Sequence, residues 1–361
     1  MPSPIDPTDP PSTDDDLDVR GAVPPGLSGR LVGIGRDGVV HSFHFDRGRV
    51  SYLARRIRIG TAVTGLVAFE GTILVYGEDS SVRQLIPDRG TLRRVDLAGH
   101  GRSVASCPKY DPASGEVHLL ANDWGGAQAH VVVASGALTR RSRLIVDAPA
   151  GIQGLAIGKR HLVFVADGVA GVAARDGELR TTWVPTGAAA PWPIHTHRSG
   201  DNIILLALTP SLERWTLHAD GGTFEREVLD PTPRHFAHIC DSAVDQAPGS
   251  VWTAGDETIG RHSLVHSFHT SHSVRPGKPG DFVIIADATR SEDINSGWFV
   301  GLVHDPSTTT TDLRVSDAAD ITEAIATIRI PRPISHRLRC TWMPATSNAP
   351  QQPPSPKEDR P

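Results

Sequence analysis

Histidine is the residue in this chain best placed to do chemistry near neutral pH, and 17 are present. The run HSLVHSFHTSH brings His262, His266, His269 and His272 close together. Imidazoles at that density could hold a surface metal. The favoured reading is simpler: a strand and turn on the outside of a β-fold, where exposed histidine is harmless. The three cysteines, Cys107, Cys240 and Cys340, are odd in number and widely spaced, which is no disulfide framework. In KYDPASGE, Asp111 and Glu116 have the chemistry of a tight turn, with a carboxylate accepting from nearby backbone N–H groups. No G-x-S-x-G elbow, phosphate loop or dinucleotide fingerprint points to another enzyme class.

The elements that must carry these side chains are short. Thirteen or so β-rich runs, among them 30–34, 39–45, 49–57, 202–208 and 298–304, are separated by Gly, Asp, Asn and Pro at turn-like intervals, and helical periodicity is nearly absent. GRVSYLARRIRI alternates apolar and polar residues like a half-buried antiparallel strand. NIILLAL and HLVFVA are continuously apolar and predict doubly covered inner strands lining a central channel. The ordered length exceeds a simple sandwich, so the expectation is a propeller of four-stranded blades, although no WD or kelch repeat is visible. Residues 1–20, rich in Pro, Asp, Ser and Thr, and the tail 345–361 predict disorder, leaving 21–344 as the folded unit. A net charge of −5 disfavours nucleic acid as a partner. No apolar run is long enough for an integral membrane segment, and the first residues lack the features of a secretory leader. A cytoplasmic protein with reduced thiols is the expectation.

Several segments resemble the carotenoid cleavage oxygenases, the family of apocarotenoid oxygenases, stilbene-cleaving enzymes and the retinal pigment epithelium isomerohydrolase. PPGLSGRLVGIG, RDGVVHSFHFDRGRVSYLARRIRI, CPKYDPASGEVH, ERWTL, SEDINSGWFVGLVHD, DLRVSDAADI, IATIRIPRPI and IPRPISHRLRCTWMP follow in the family's order over about 21–344. The resemblance implies a seven-bladed β-propeller with a helical dome on one face. It also implies an axial Fe(II) held by four histidines and braced by glutamates, for oxidative cleavage of a double bond. The chain is shorter than the family's usual members, after the opening strand, near Thr61 and between Ala174 and Trp192. The expectation is therefore a reduced dome and a more open site.

Residue by residue, the four ligand positions fall on Cys107, Gln153, His195 (or His197) and Arg339, with His336 just ahead of the last. The supporting acidic positions fall on Glu78, His235 and Glu292, the last followed by Asp293. His41 and His44 match the family's opening hairpin and read as structural. One ligand position in four keeps a histidine, so His195 is the metal ligand if a metal binds. A guanidinium cannot ligate a metal and its charge repels Fe(II). These residues imply a shortened and degenerate family member that has no cofactor. It binds an apolar or isoprenoid-like small molecule and transforms it non-oxidatively, Arg339 holding an oxyanion and His195 and Glu78 moving protons. Alternatives are an Fe(II) dioxygenase with rearranged ligands, a zinc-like site of Cys107, His195 and His235, and a non-catalytic scaffold in which Arg339 pairs with Glu78.

Overall fold

The computed structural model describes residues 12–345 except 15–16, 36, 70, 88–90, 98–102, 107, 123–126, 135–137, 150, 176–179, 190, 219–222, 241–246, 267, 275–276, 288–296, 333 and 335–337. All regular elements among them are strands, arranged as seven antiparallel sheets in a ring, a seven-bladed β-propeller. No helix occurs among the described residues, so the dome expected over one face has no helical part there. None is therefore long and apolar enough to cross a membrane.

Each blade places one strand against the axis. In blades 2 to 7 this innermost strand comes first in the chain: Val63–Phe69, Lys109–Asp111, Ile152–Ile157, Trp192–Ser199, Phe236–His238 and Lys278–Ala286. Blade 1 is closed by the C-terminal strand Arg339–Pro344. That strand pairs with Gly29–Ile34, with Gly29 opposite Pro344 and Ile34 opposite Arg339. Joining the two ends of the chain in one sheet makes ring closure part of folding. It also carries Arg339 to the axis.

The stretch expected to be disordered at the N-terminus contributes two short strands. Ser12–Asp14 pairs with Arg49–Arg56 at the outer edge of blade 1, and Val19–Gly21 pairs with Ala326–Ile330 at the outer edge of blade 7. Both cover edges that would otherwise offer unpaired backbone groups. Gly21 is required for this: its φ is +83°, and a Cβ there would lie 2.2 Å from the Ile325 carbonyl oxygen. Residues 1–11 and 346–361 lie outside the described residues.

The apolar core is divided into seven clusters, one at each contact between neighbouring blades. The strand Asn202–Thr209 shows why. Ile203, Leu205 and Ala207 pack toward blade 4, and Leu206 packs toward blade 6. A strand with blades on both sides is apolar at consecutive positions. The sequence expectation of double coverage for NIILLAL and HLVFVA therefore holds, but their place is second in the blade and not innermost. Innermost strands have the channel on one side and carry mixed residues, as in WPIHTHRS.

The contact between blades 5 and 6 has the smallest apolar cluster, with Leu206, Leu212 and Val251 fully buried. A cavity of about 400 Å³ opens there, lined among others by His197, Arg214, Thr216, Glu227, Leu264 and Val265.

Candidate functional site

The starts of the innermost strands line one mouth of the channel, and the structure brings Arg339 there. Its guanidinium carbon sits 5.1 Å from the centroid of the Phe236 ring. Phe236 belongs to blade 6, so the side chain reaches from blade 1 past the innermost strand of blade 7. The next residue fixes that path: the Cys340 N–H donates to Asp281 Oδ2 on blade 7 at 3.0 Å. Glu78 lies exposed in the turn between Thr72–Gly77 and Val82–Ile86, its N–H donating to the Ala62 carbonyl at 2.9 Å.

A second cation crosses the same mouth. Lys109, at the start of the innermost strand of blade 3, places its Nζ 5.7 Å from the ring centroid of Trp192 on blade 5. Trp192 is 47% exposed, unusual for the largest apolar side chain.

Gln153 and His195 are set by bulges. The ladder of blade 4 skips one residue between Ile152 and Gly154, and that of blade 5 skips one between Pro193 and His195. The residue in blade 5 equivalent to Gln153 is thus Ile194. Gln153 is exposed and donates from Nε2 to Asp167 Oδ2 at 3.2 Å. His195 is buried, and its ring stacks on His197 at 5.5 Å with planes 25° apart. His197 lines the cavity toward Leu264 and Val265 of blade 6, so both imidazoles occupy the space between blades. His235 is exposed and paired with Asp256 at 2.9 Å, a contact that pulls the Asp256 carboxyl below its usual range. Cys107, Glu292, Asp293 and His336 lie outside the described residues.

Sequence reasoning missed the best-formed polar group near the axis. His238 Nε2 lies 2.9 Å from Asp281 Oδ1, and Asp281 also accepts from the N–H groups of Phe282 and Cys340, each at 3.0 Å. The Asp281 side chain is 4% exposed and that of His238 is 35%. The His238 ring meets Phe282 edge-on, with centroids 4.8 Å apart. The only sequence signals were Phe236 and His238 two residues apart, hence on one side of a strand, and an Asp directly ahead of the apolar run FVIIA.

The histidine run is divided. His262 is buried on the third strand of blade 6, while His269 and His272 lie on its outer strand. Asp230, His262 and His269 each offer a ligand atom, all within 4.8 Å of one another, a possible place for a metal ion. Two features oppose one. Arg234, itself buried, donates to Asp230 Oδ2 at 2.7 Å. The two imidazoles stack at 4.2 Å with planes only 7° apart, so their in-plane lone pairs run side by side instead of converging. Burial, with added repulsion from His269, lowers His262 to about 4 and keeps it neutral.

Residues 188–344 match the family model described as retinal pigment epithelial membrane protein, RPE65. None of the curated protein sequences matches the chain. A mutant of Synechocystis apocarotenoid oxygenase superposes with a TM-score of 0.80 at 18% identity, covering 94% of this chain and 97% of that one. Pseudomonas brassicacearum lignostilbene dioxygenase gives 0.81 at 15% identity, covering 94% and 96%. A chimera of apocarotenoid oxygenase and RPE65 gives 0.78 at 17% identity, covering 94% and 97%. The family's sequence pattern over 188–344 and its fold over most of the chain bear out the resemblance carried by the motifs, and the chain is a carotenoid-oxygenase-like β-propeller.

Proposed function

We propose that this propeller has exchanged the four-histidine iron centre for an axial site that holds a small molecule with an apolar frame and an oxygen able to bear negative charge. The observation that carries this reading is Arg339, a permanent cation held across the axial mouth by the Phe236 ring. The described residues at the other ligand positions do not fit an iron held by imidazoles either. Gln153 offers an amide already bonded to Asp167, and His195 is stacked on His197 between two blades. Chemistry at such an axis is non-oxidative. Arg339 supplies charge to an oxyanion, and the exposed ring of Trp192 and the half-buried ring of Phe236 supply apolar contact. Neither His195 nor Glu78 carries a proton-transfer role at such an axis. The histidine lies between blades and the carboxylate lies in an exposed turn.

Elemental analysis of the purified protein tests this directly. The expected result is iron far below one per chain, both as isolated and after anaerobic loading with Fe(II). Stoichiometric iron, with cleavage of a stilbene or apocarotenoid double bond in air, would establish the dioxygenase reading instead. Arg339→His alone is expected not to create tight iron binding, because Gln153 and Ile194 still present no imidazole. A protein that neither binds iron nor shows a fluorescence change with isoprenoid aldehydes or acids would be a scaffold.

A further inference from the structure

We infer that His238 and Asp281 form an acid–base pair that, with Arg339, moves a proton on an α,β-unsaturated carbonyl compound bound at the axial mouth. This rests on the proposed non-oxidative axial site and names its chemistry.

Asp281 lies on the innermost strand of blade 7. Its buried carboxylate accepts from two backbone N–H groups and faces His238 Nε2 at 2.9 Å. Both carboxylate oxygens act as acceptors, Oδ1 from the Phe282 N–H and Oδ2 from the Cys340 N–H. An acceptor facing Nε2 selects the imidazole tautomer with hydrogen on Nε2. Nδ1 is then left with its lone pair, and among the described residues it has no protein partner. The His238 side chain is 35% exposed and its ring is wedged edge-on against Phe282, so Nδ1 is both oriented and reachable. Phe236, two residues earlier on the same strand, carries the guanidinium of Arg339 over its ring. A base and a fixed cation therefore flank one side of one short strand.

These two groups suit one reaction class. Arg339 does not give up a proton, so it assists by charge where an oxygen becomes anionic. A carboxylate is already charged before reaction. A conjugated aldehyde or ketone gains its charge only as a proton leaves, so Arg339 binds the transition state more strongly than the ground state. His238 Nδ1 takes a hydrogen from the saturated carbon attached to the far end of the conjugated double bond. The C–H electron pair shifts through the double bond to the carbonyl oxygen beside Arg339. Return of the proton from His238 to the carbon next to the carbonyl moves the double bond and restores neutral imidazole. Nothing is oxidised or reduced. Asp281 is a positioning residue: it sets the tautomer and stabilises the imidazolium.

Citral, a conjugated isoprenoid aldehyde, is a direct probe. In D2O, the protein should exchange the hydrogens on the methyl and methylene carbons attached to the far end of citral's conjugated double bond faster than buffer does, read by mass spectrometry. His238→Gln should slow exchange by about 100-fold or more, with binding, followed by tryptophan fluorescence, retained. Asp281→Asn, which no longer fixes the ring nitrogen that carries hydrogen, should slow exchange by about 10-fold or more with citral binding retained, and Asp281→Glu should restore part of the exchange; a merely structural carboxylate would leave the ratio of exchange to binding unchanged. Binding of citral without exchange, or unchanged exchange in His238→Gln, overturns the pair while leaving the axial binding site standing. Stoichiometric iron and no citral binding overturn both.

Discussion

Blades 5 and 6 meet through a cluster of Asp, His and Arg, and so do blades 6, 7 and 1 at the axial mouth, yet the two clusters spend their charges in opposite ways. Between blades 5 and 6, Arg234 is buried and bonded to Asp230 at 2.7 Å, and His262 leans on the same carboxylate oxygen at 3.3 Å. Cation and anion cancel inside the protein. At the mouth, Asp281 is satisfied by His238 and two backbone N–H groups, so Arg339 is left to lie over an aromatic ring. Its charge faces the axis. Residue types alone would rank the first cluster as the better metal or catalytic site. The pairing shows it to be a polar substitute for the apolar packing that this blade contact lacks.

Removing one member of the buried pair has the largest expected effect. Asp230→Ala leaves the Arg234 guanidinium buried without its anion and is expected to cost about 3–5 kcal/mol in urea unfolding. A loss under about 1 kcal/mol would mean that the cluster is hydrated and free to serve another purpose.

A smaller effect concerns pH. Burial lowers His262 to about 4 from its ordinary value of 6.5. Between those values the unfolded chain binds a proton that the folded chain does not. Stability from this group is therefore complete above about pH 6.5 and is lost as the pH falls toward 4. The slope is at most about 1.4 kcal/mol per pH unit. His41 and His118, lowered to about 4, and His130, lowered to about 3, all mainly by burial, act in the same direction. Urea midpoints measured from pH 7 to 4.5 should fall steadily. His262→Gln should flatten that fall by up to the stated slope, and an unchanged slope would mean that His262 is already charged when folded.

How much of this could be read from the sequence follows from range. Strand runs and turns are local, and blade strands such as 39–46, 202–209 and 297–305 appear almost where the apolar runs predict them. The order of motifs was enough for the family resemblance. The partners were not legible. Phe236 under Arg339 and Asp281 beside His238 are joined by ring closure across three blades, with 43 residues separating the last two. The orientation of His195 was hidden for a different reason. A one-residue bulge at Ile194 turns the following residues to the other face, which no residue count predicts.

The smallest effect on stability is the most telling for function. Arg339 touches a ring face and carries no buried ion pair among the described residues, so Arg339→Ala removes at most a partly exposed cation–π contact. Such a contact contributes about 0.5–1 kcal/mol. The urea midpoint should therefore barely move, in contrast to Asp230→Ala. Citral binding and hydrogen exchange, however, should be lost, because no other described cation lies over Phe236. Arg339→Lys sharpens the test. It keeps the charge but gives up the planar fork and its stacking, so it should restore part of the binding and little of the exchange. If Arg339→Ala instead cost 3 kcal/mol or more, the guanidinium would be a structural plug closing the channel. The two clusters would then differ only in position, and the axial mouth would have no charge left for a ligand.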